Sequence, residues 1–464
     1  MSGSDISKTE KRRKLLLEES PYKAIPFIAA PLVLSMIVES VYNMADAYFV
    51  SSLGPSIVAA VGINDALMAY MKVIAMLFAT GAASVLSRML GAGEQKKADK
   101  VAASALYMAI IIMSICCAVC LFIPDQLAAL LGATETIRPY SVQYARIILF
   151  SAPFVAAEVV AGFLHRSEGN TKMAMFGTLS GCIINFILDP IFILPWGLGM
   201  GIAGAAAATA IGRVISSTVL LIPFIRRRTM LNISIKNFTL KWAVYKDVIK
   251  MGLPGAIRDA LMTGSMVVMN HVAGGFGDVA LAAMTVSKKT INLVASAIMG
   301  FGHGFQPIAG FCWGAKKYKR VRDSFKAATV IGWAAALILG TLLAVFSRNL
   351  ALLFADESET EVIRLAMIII ISQSVTLIPH IWGVVINGMC QAVGHPVYST
   401  LIGLSRNFIC LIPAVIIMSR LFGVEGMALS QAMANILSMA ICIPIVISLI
   451  KECKEAEKRT GSEL

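Results

Sequence analysis

Glu39, Asn43 and Asp46 stand at i, i+4 and i+7 in a stretch of otherwise mainly apolar and small residues. Such spacing puts all three on one face of a helix of about 3.6 residues per turn. Asn185 and Asp189 repeat the i, i+4 spacing and are followed by Pro190, while Tyr144 and Thr209 offer hydroxyls in neighbouring apolar stretches. Carboxylates, a carboxamide and hydroxyls together suit a small-cation site or a proton network. No lysine or arginine lies between Lys23 and Lys72. Glu39 and Asp46 therefore lack a counter-charge close in sequence and are expected to hold a proton or a bound cation.

The elements that carry these groups must be membrane helices. Of 464 residues, 58 % are hydrophobic and 14 % charged, and the mean hydropathy is +0.78. A soluble domain runs at roughly 25 % charged. Apolar runs fall at 24–50, 57–87, 99–123, 137–164, 171–195, 201–225, 246–273, 279–312, 325–346, 361–390, 397–420 and 424–450. Each is long enough to cross a bilayer, which takes ~20 residues. The expected fold class is an all-α membrane protein of twelve transmembrane helices. A charge at the bilayer centre costs at least ~2.5 kcal/mol, so the acidic face of the first helix must turn inward.

The net charge of +13 does not point to nucleic acid, because the basic residues are scattered in short clusters between apolar runs. Alternate threading gathers Arg88, Lys96, Lys97 and Lys100 on the side of the N-terminus, with Arg226–Arg228, Lys316, Lys317, Lys319, Arg320 and Lys451. The opposite loops at 51–56, 194–201 and 274–278 have no lysine or arginine. Both termini are therefore expected in the cytoplasm, with no secretory leader. Cys116, Cys117 and Cys120 lie in an apolar run and the other six cysteines are scattered; they read as small buried hydrophobes, not metal ligands.

Sliding the chain by 223 positions, the separation of Pro31 and Pro254, brings Gly54 onto Gly277, Gly81 onto Gly304 and Gly91-Ala92 onto Gly314-Ala315. Gly169 and Gly394 match at 225, and Gly201 and Gly423 at 222. Two six-helix lobes are expected, at 24–225 and 246–450. A basic cytoplasmic linker at 226–245 joins them, and cytoplasmic segments at 1–23 and 451–464 flank them. An even number of crossings separates equivalent points, which implies a pseudo-two-fold axis along the membrane normal and a cleft between lobes. Pro26 and Pro31 sit inside the first helix, where Pro31 cannot donate to the Phe27 carbonyl and a bend is expected.

The chain resembles the multidrug and toxic compound extrusion (MATE) transporters, in the bacterial branch related to DinF and MepA. The resemblance rests on Glu39-Ser-Val-Tyr-Asn43-Met-Ala-Asp46, Gly91-Ala-Gly-Glu, Arg166-Ser-Glu-Gly169-Asn, Asn185-Phe-Ile-Leu-Asp189-Pro190 and the Gly201–Ala206 turn. It implies a cation or proton site formed by Asp46, Asn185 and Asp189 with Tyr144 and Thr209, and a first helix that bends at Pro31 on protonation. Some relatives use carboxylates in the seventh and tenth helices; here the repeat equivalent of Glu39 is Met262, and the tenth helix has His380 but no acid. The implied activity is export of amphipathic, often cationic, organic small molecules in exchange for protons or sodium ions. No cofactor or metal is expected, and no enzymatic activity. The chain is expected to be a monomer surrounded by lipid in a bacterial plasma membrane.

The second half adds Arg258, Asp259, His271, His303, Gln306, His380, Asn387 and Arg406 within its apolar runs. Arg258 and Asp259 read as an ion pair or interfacial anchor, and Glu39, Asn43 and His380 as cavity or supporting residues. Twenty-five methionines would suit a cavity that adapts to many ligands, although most are expected in packing. Gly275-Phe-Gly-Asp278 matches a short protease pattern but falls in an extracytoplasmic turn with no preceding catalytic aspartate. No Walker A or HExxH sequence supports an ATPase or metalloprotease. A lipid-linked precursor flippase remains the alternative, needing basic residues for a pyrophosphate where the first half offers mainly acids.

Overall fold

A computed structural model describes residues 3–461; the first two and last three residues of the expected terminal segments lie outside it. A leading helix α1 (Gly3–Leu17) precedes α2 (Pro21–Ser51), α3 (Pro55–Gly91) and α4 (Gln95–Phe122), and the short α5 (Pro124–Leu130) turns the chain into α6 (Arg138–Ser167). Then follow α7 (Thr171–Ile193), α8 (Ile202–Ile225), a linker with a single 3-10 turn, α9 (Trp242–Gly275), α10 (Asp278–Gly314) and α11 (Tyr318–Val345). The chain ends with α12 (Ser347–Leu352), α13 (Thr360–Val375), α14 (Leu377–Val393), α15 (Pro396–Leu404), a π-helical turn (Ser405–Ile409) and α16 (Leu411–Gly461). The described residues contain no strand, and the fold is the expected all-α membrane protein.

Eight of these stretches are each long and apolar enough to span a bilayer, and the bent pair α13–α14 makes a ninth. One of the eight, Pro396–Thr460, is broken at Gly423 (φ 60°, ψ −140°) and holds two passes. The remaining two passes, α9 and α10, are 34 and 37 residues long. Their composition is diluted by charge, notably Arg258 and Asp259 in α9 and Lys288 and Lys289 in α10. The last pass continues as helix into the expected C-terminal tail.

Two local departures from uniform helices have physical causes. The tenth pass bends by 51° between α13 and α14. There Thr376 turns its hydroxyl back to the carbonyls of Ser372 and Gln373, and Pro379 has no N–H for the Val375 carbonyl. By contrast α2 is one continuous helix from Pro21 to Ser51 with Pro26 and Pro31 both inside it. Neighbouring turns absorb an unmatched carbonyl when adjacent helices support them.

The internal repeat is legible in the backbone. Gly54 and Gly277 begin α3 and α10 with φ of 101° and 98°, and Gly201 and Gly423 have φ of 56° and 60°. The short helices α5 and α12 start at Pro124 and Ser347, again 223 residues apart. These left-handed conformations carry no Cβ clash only for glycine.

The chain forms two compact units, and their borders fall inside helices instead of in the linker. Unit 1 comprises the residues up to Leu15 and Leu34–Ala256; unit 2 comprises Leu16–Val33 and Ile257 onward. The lobes expected at 24–225 and 246–450 thus exchange the leading halves of their first helices. Within unit 1 the start of α9 lies so close on α3 that a Cβ built on Gly252 would sit 1.8 Å from the Leu77 carbonyl oxygen, and one on Gly81 2.0 Å from that of Val248. Within unit 2 the start of α2 lies on α10, where a Cβ on Gly304 would meet Ala29 Cα at 2.5 Å. Ala29 and Gly252 are themselves 223 residues apart, so one close crossing is built twice. Small residues permit such approach between membrane helices, where dispersion does the work that water does elsewhere.

Candidate functional site

In unit 1 the pairing of α7 with α8 sets the geometry. Gly181 and Gly212 face each other: a Cβ on the first would lie 2.8 Å from the Gly212 carbonyl oxygen, and one on the second 3.2 Å from Asn185 Cβ. This contact brings Asn185 Nδ2 within 3.2 Å of Thr209 Oγ1, to which it donates. Tyr144 on α6 turns its hydroxyl toward Thr209. One turn beyond Asn185 on the same face, Asp189 is fully buried. Its carboxyl group and that of Asp46 on α2 face each other at hydrogen-bonding range. Neither oxygen of Asp189 has a donor among the described residues.

Asp46, Asn185, Asp189, Tyr144 and Thr209 are therefore gathered in one place. An ionised carboxylate only accepts hydrogen bonds. Two carboxylates facing each other, here Asp189 buried and Asp46 half-buried, repel unless a proton or a cation lies between them. Asp65 on α3 lies near enough to Asp46 and Tyr144 to act on both electrostatically, which makes it a third acid beside the pair.

The supporting residues are placed differently. Glu39 has no counter-charge close in sequence but is 3.7 Å from Lys72 Nζ on α3. The lysine is far along the chain but packs across the helix pair. Asn43 is exposed on α2 and does not enter the network. Pro26 and Pro31 lie in the leading half of α2, which belongs to unit 2. His380 is buried in α14, in unit 2, where it lines a cavity.

The MatE family model matches residues 31–191 and 254–417, two stretches that begin at Pro31 and Pro254 and cover most of both repeats. The chain belongs to the MatE family. Among relatives of this MatE chain, the multidrug export protein MepA of Staphylococcus haemolyticus is 27 % identical over 433 residues, spanning 93 % of this chain and 94 % of that protein. MepA of Staphylococcus aureus is 26 % identical over 437 residues, with 94 % and 95 % covered. A solved structure of MATE in complex with MaL6 superposes with a TM-score of 0.91 at 26 % identity, over 96 % of this chain and 99 % of that one. MatE membership makes the protein a membrane-embedded transporter and not an enzyme.

Sequence reasoning passed over one further element of this MatE lobe. Glu158 on α6, 7 % exposed, accepts from Arg213 Nη1 at 3.2 and 3.3 Å and from Ser216 Oγ at 2.9 Å, both on α8. The cost of intramembrane charge that singles out Glu39 applies equally to Glu158 and Arg213, so a signal was present. Arg213 also lies close enough to Glu39 and Asp46 to act on both. The bases Lys72 and Arg213 are thus engaged with Glu39 and Glu158, and the Asp46–Asp189 pair is left with no cation in direct contact among the described residues.

Proposed function

We propose that this protein is a secondary active multidrug exporter that expels amphipathic, often cationic, organic compounds in exchange for protons or sodium ions. Asp46 and Asp189 are the exchanging pair, with Asn185, Thr209 and Tyr144 completing the oxygen-rich shell and Glu39 supporting it. Export of many compounds is in keeping with the MepA relatives, which are named multidrug export proteins. The protein works as a monomer in the bacterial plasma membrane, with both termini cytoplasmic.

One observation carries this reading: two acceptor-only groups turned toward each other, Asp189 fully buried and Asp46 half-buried. Occupied by a proton or cation, the pair is attractive; emptied, it repels and drives α2 away from α7. A state-dependent ion affinity follows from that difference, and it is what links an ion gradient to a conformational cycle. Pro31 gives α2 a point at which to yield. The flippase alternative gains nothing from this lobe, because its bases already face acids.

Expression of the chain in a drug-sensitive bacterial host tests the reading. Wild type is expected to raise resistance to lipophilic cations, and Asp46→Asn to abolish the gain at equal membrane abundance. Full resistance with Asp46→Asn overturns the assignment.

A further inference from the structure

Unit 2 contains a cavity of about 400 Å³ that the Asp46–Asp189 network does not use. Its wall carries three cationic side chains, Arg258, Lys288 and Arg406, against a single acid, Asp259. That acid is bonded to Arg258 at 2.9 Å, so the wall keeps a positive excess. Such a surface, surrounded by low-dielectric helices, repels the cations that unit 1 attracts.

Arg406 is braced by a hydrogen-bonded relay. Its Nε donates to Asn435 Oδ1 at 2.8 Å, and Asn435 in turn donates to Thr376 Oγ1 at 2.9 Å. This brace fixes one edge of the guanidinium on the cavity wall. The backbone is specialised at the same place. Arg406 and Asn407 sit on the π-helical turn Ser405–Ile409, pinned where Ser405 Oγ meets Ser438 Oγ at 2.7 Å. A π-turn is rare and recurs at functional sites.

Two amide donors point to the same ligand chemistry. Gln306 is 6 % exposed, lines the cavity, and its Nε2 has no partner among the described residues; Gln431 Nε2, also on the wall, is in the same condition. A buried amide left without an acceptor costs roughly 1–3 kcal/mol. Cationic and amide donors together match an oxyanion. Six methionines on the wall, among them Met266 and Met299, give an adaptable apolar surface for the remainder of a ligand.

We propose that the unit 2 cavity binds the oxyanion head of an amphipathic organic anion, anchored by Arg406 with Gln306 and Gln431 as further donors. The apolar body of the ligand lies on the methionines. The proposal rests on reading the chain as an exporter of organic compounds and extends its substrates to anions or zwitterions.

Equilibrium binding separates the two claims, since it needs no gradient and is read whether or not Asp46 and Asp189 couple ions. The purified full chain in nanodiscs of zwitterionic lipid is titrated with 1-pyrenebutyrate and with its neutral primary amide. The carboxylate is expected to bind about tenfold or more tightly than the amide, since one charge-assisted contact is worth at least that factor. Arg406→Gln is expected to reduce the preference to about threefold or less, and Arg406→Lys to retain part of it. Should Arg406→Gln not yield monodisperse protein, Gln306→Met serves independently and is expected to lower carboxylate affinity while sparing the amide. Doping the nanodiscs with phosphatidylglycerol identifies the source of the head group: displacement of the probe assigns it to lipid, and undiminished binding to a free compound. Equal affinity for carboxylate and amide in wild type, or a preference unchanged by these substitutions, overturns the proposal.

Discussion

Asp46 on α2 and Asp189 on α7 turn their carboxyl groups toward each other within hydrogen-bonding range, although 143 positions separate them in the chain. The close crossing of α7 on α8 at Gly181 and Gly212 holds Asn185 against Thr209, and the same helix face then presents Asp189 to α2. Packing of the smallest residues thus determines where the acids meet.

The reciprocal helix crossing makes a clean packing prediction. Gly252→Ala places a methyl 1.8 Å from a backbone oxygen, whereas Gly264→Ala, on the same helix, meets nothing within 4 Å. Overpacking typically costs about 1–3 kcal/mol, while alanine in place of glycine in an open helical position gains roughly 0.5–1 kcal/mol. Thermal unfolding in detergent should show Gly252→Ala lowered in Tm and Gly264→Ala unchanged or raised. Equal shifts contradict the packing described.

Glu158 and Arg213 make a second prediction. Removing one partner of a buried pair leaves the other charge uncompensated, at about 3–5 kcal/mol, while replacing both by apolar groups is often tolerated. Arg213 is partly exposed, with 30 % of its side chain accessible, so the lower end of that range is expected for Glu158→Leu. The double variant Glu158→Leu/Arg213→Met should be more stable than either single variant in a double-mutant cycle. Additive losses argue against a coupled pair.

A pH-dependent prediction concerns Glu168, in the turn between α6 and α7. It is fully buried and accepts from the backbone N–H of Leu231 in the linker at 2.8 Å. Burial pushes its carboxyl up to about 7, against the opposing pull of the Leu231 N–H and then the Arg12 guanidinium. The folded value lies above the ordinary glutamic acid value of 4.5, so the docked state holds its proton more tightly than the undocked one. The contribution to linker docking is therefore complete below about pH 4.5 and declines as pH rises through about 7, by a total on the order of 3 kcal/mol. Hydrogen exchange of the amides around Leu231, corrected for intrinsic rate, should show protection falling between about pH 5 and 8. Glu168→Gln should flatten the profile, and protection that rises with pH contradicts the assignment.

Much of the fold was legible in the sequence because the bilayer imposes it. Apolar runs near span length gave the passes, and the Gly54–Gly277 correspondence reappears as a shared backbone conformation. That the two acidic faces meet was implied only by the family resemblance, but the faces themselves, Glu39–Asn43–Asp46 and Asn185–Asp189, were legible because i, i+4 and i+7 spacing survives from chain to helix face. Lateral partners were not. Lys72 approaches Glu39 across a helix pair, and Arg213 reaches Glu158 over 55 positions; periodicity says which face is polar but not which helix it meets. The exchange of helix halves between units, the bend at Thr376 and the π-turn at Arg406 depend on packing that no local pattern encodes. The second-half polar residues, by contrast, were visible individually, and only the cavity shows that Arg258, Gln306, His380 and Arg406 share a wall.

The central claim is that the carboxyl pair exchanges an ion to drive export, and flux in proteoliposomes tests it most directly. A fluorescent lipophilic cation is loaded, and pH and sodium gradients are imposed separately on wild type, Asp189→Asn and Asp46→Asn. Wild type is expected to accelerate export under at least one of the two gradients, and each variant to transport at the same rate with or without that gradient. Gradient-driven export that persists undiminished in Asp189→Asn contradicts the account.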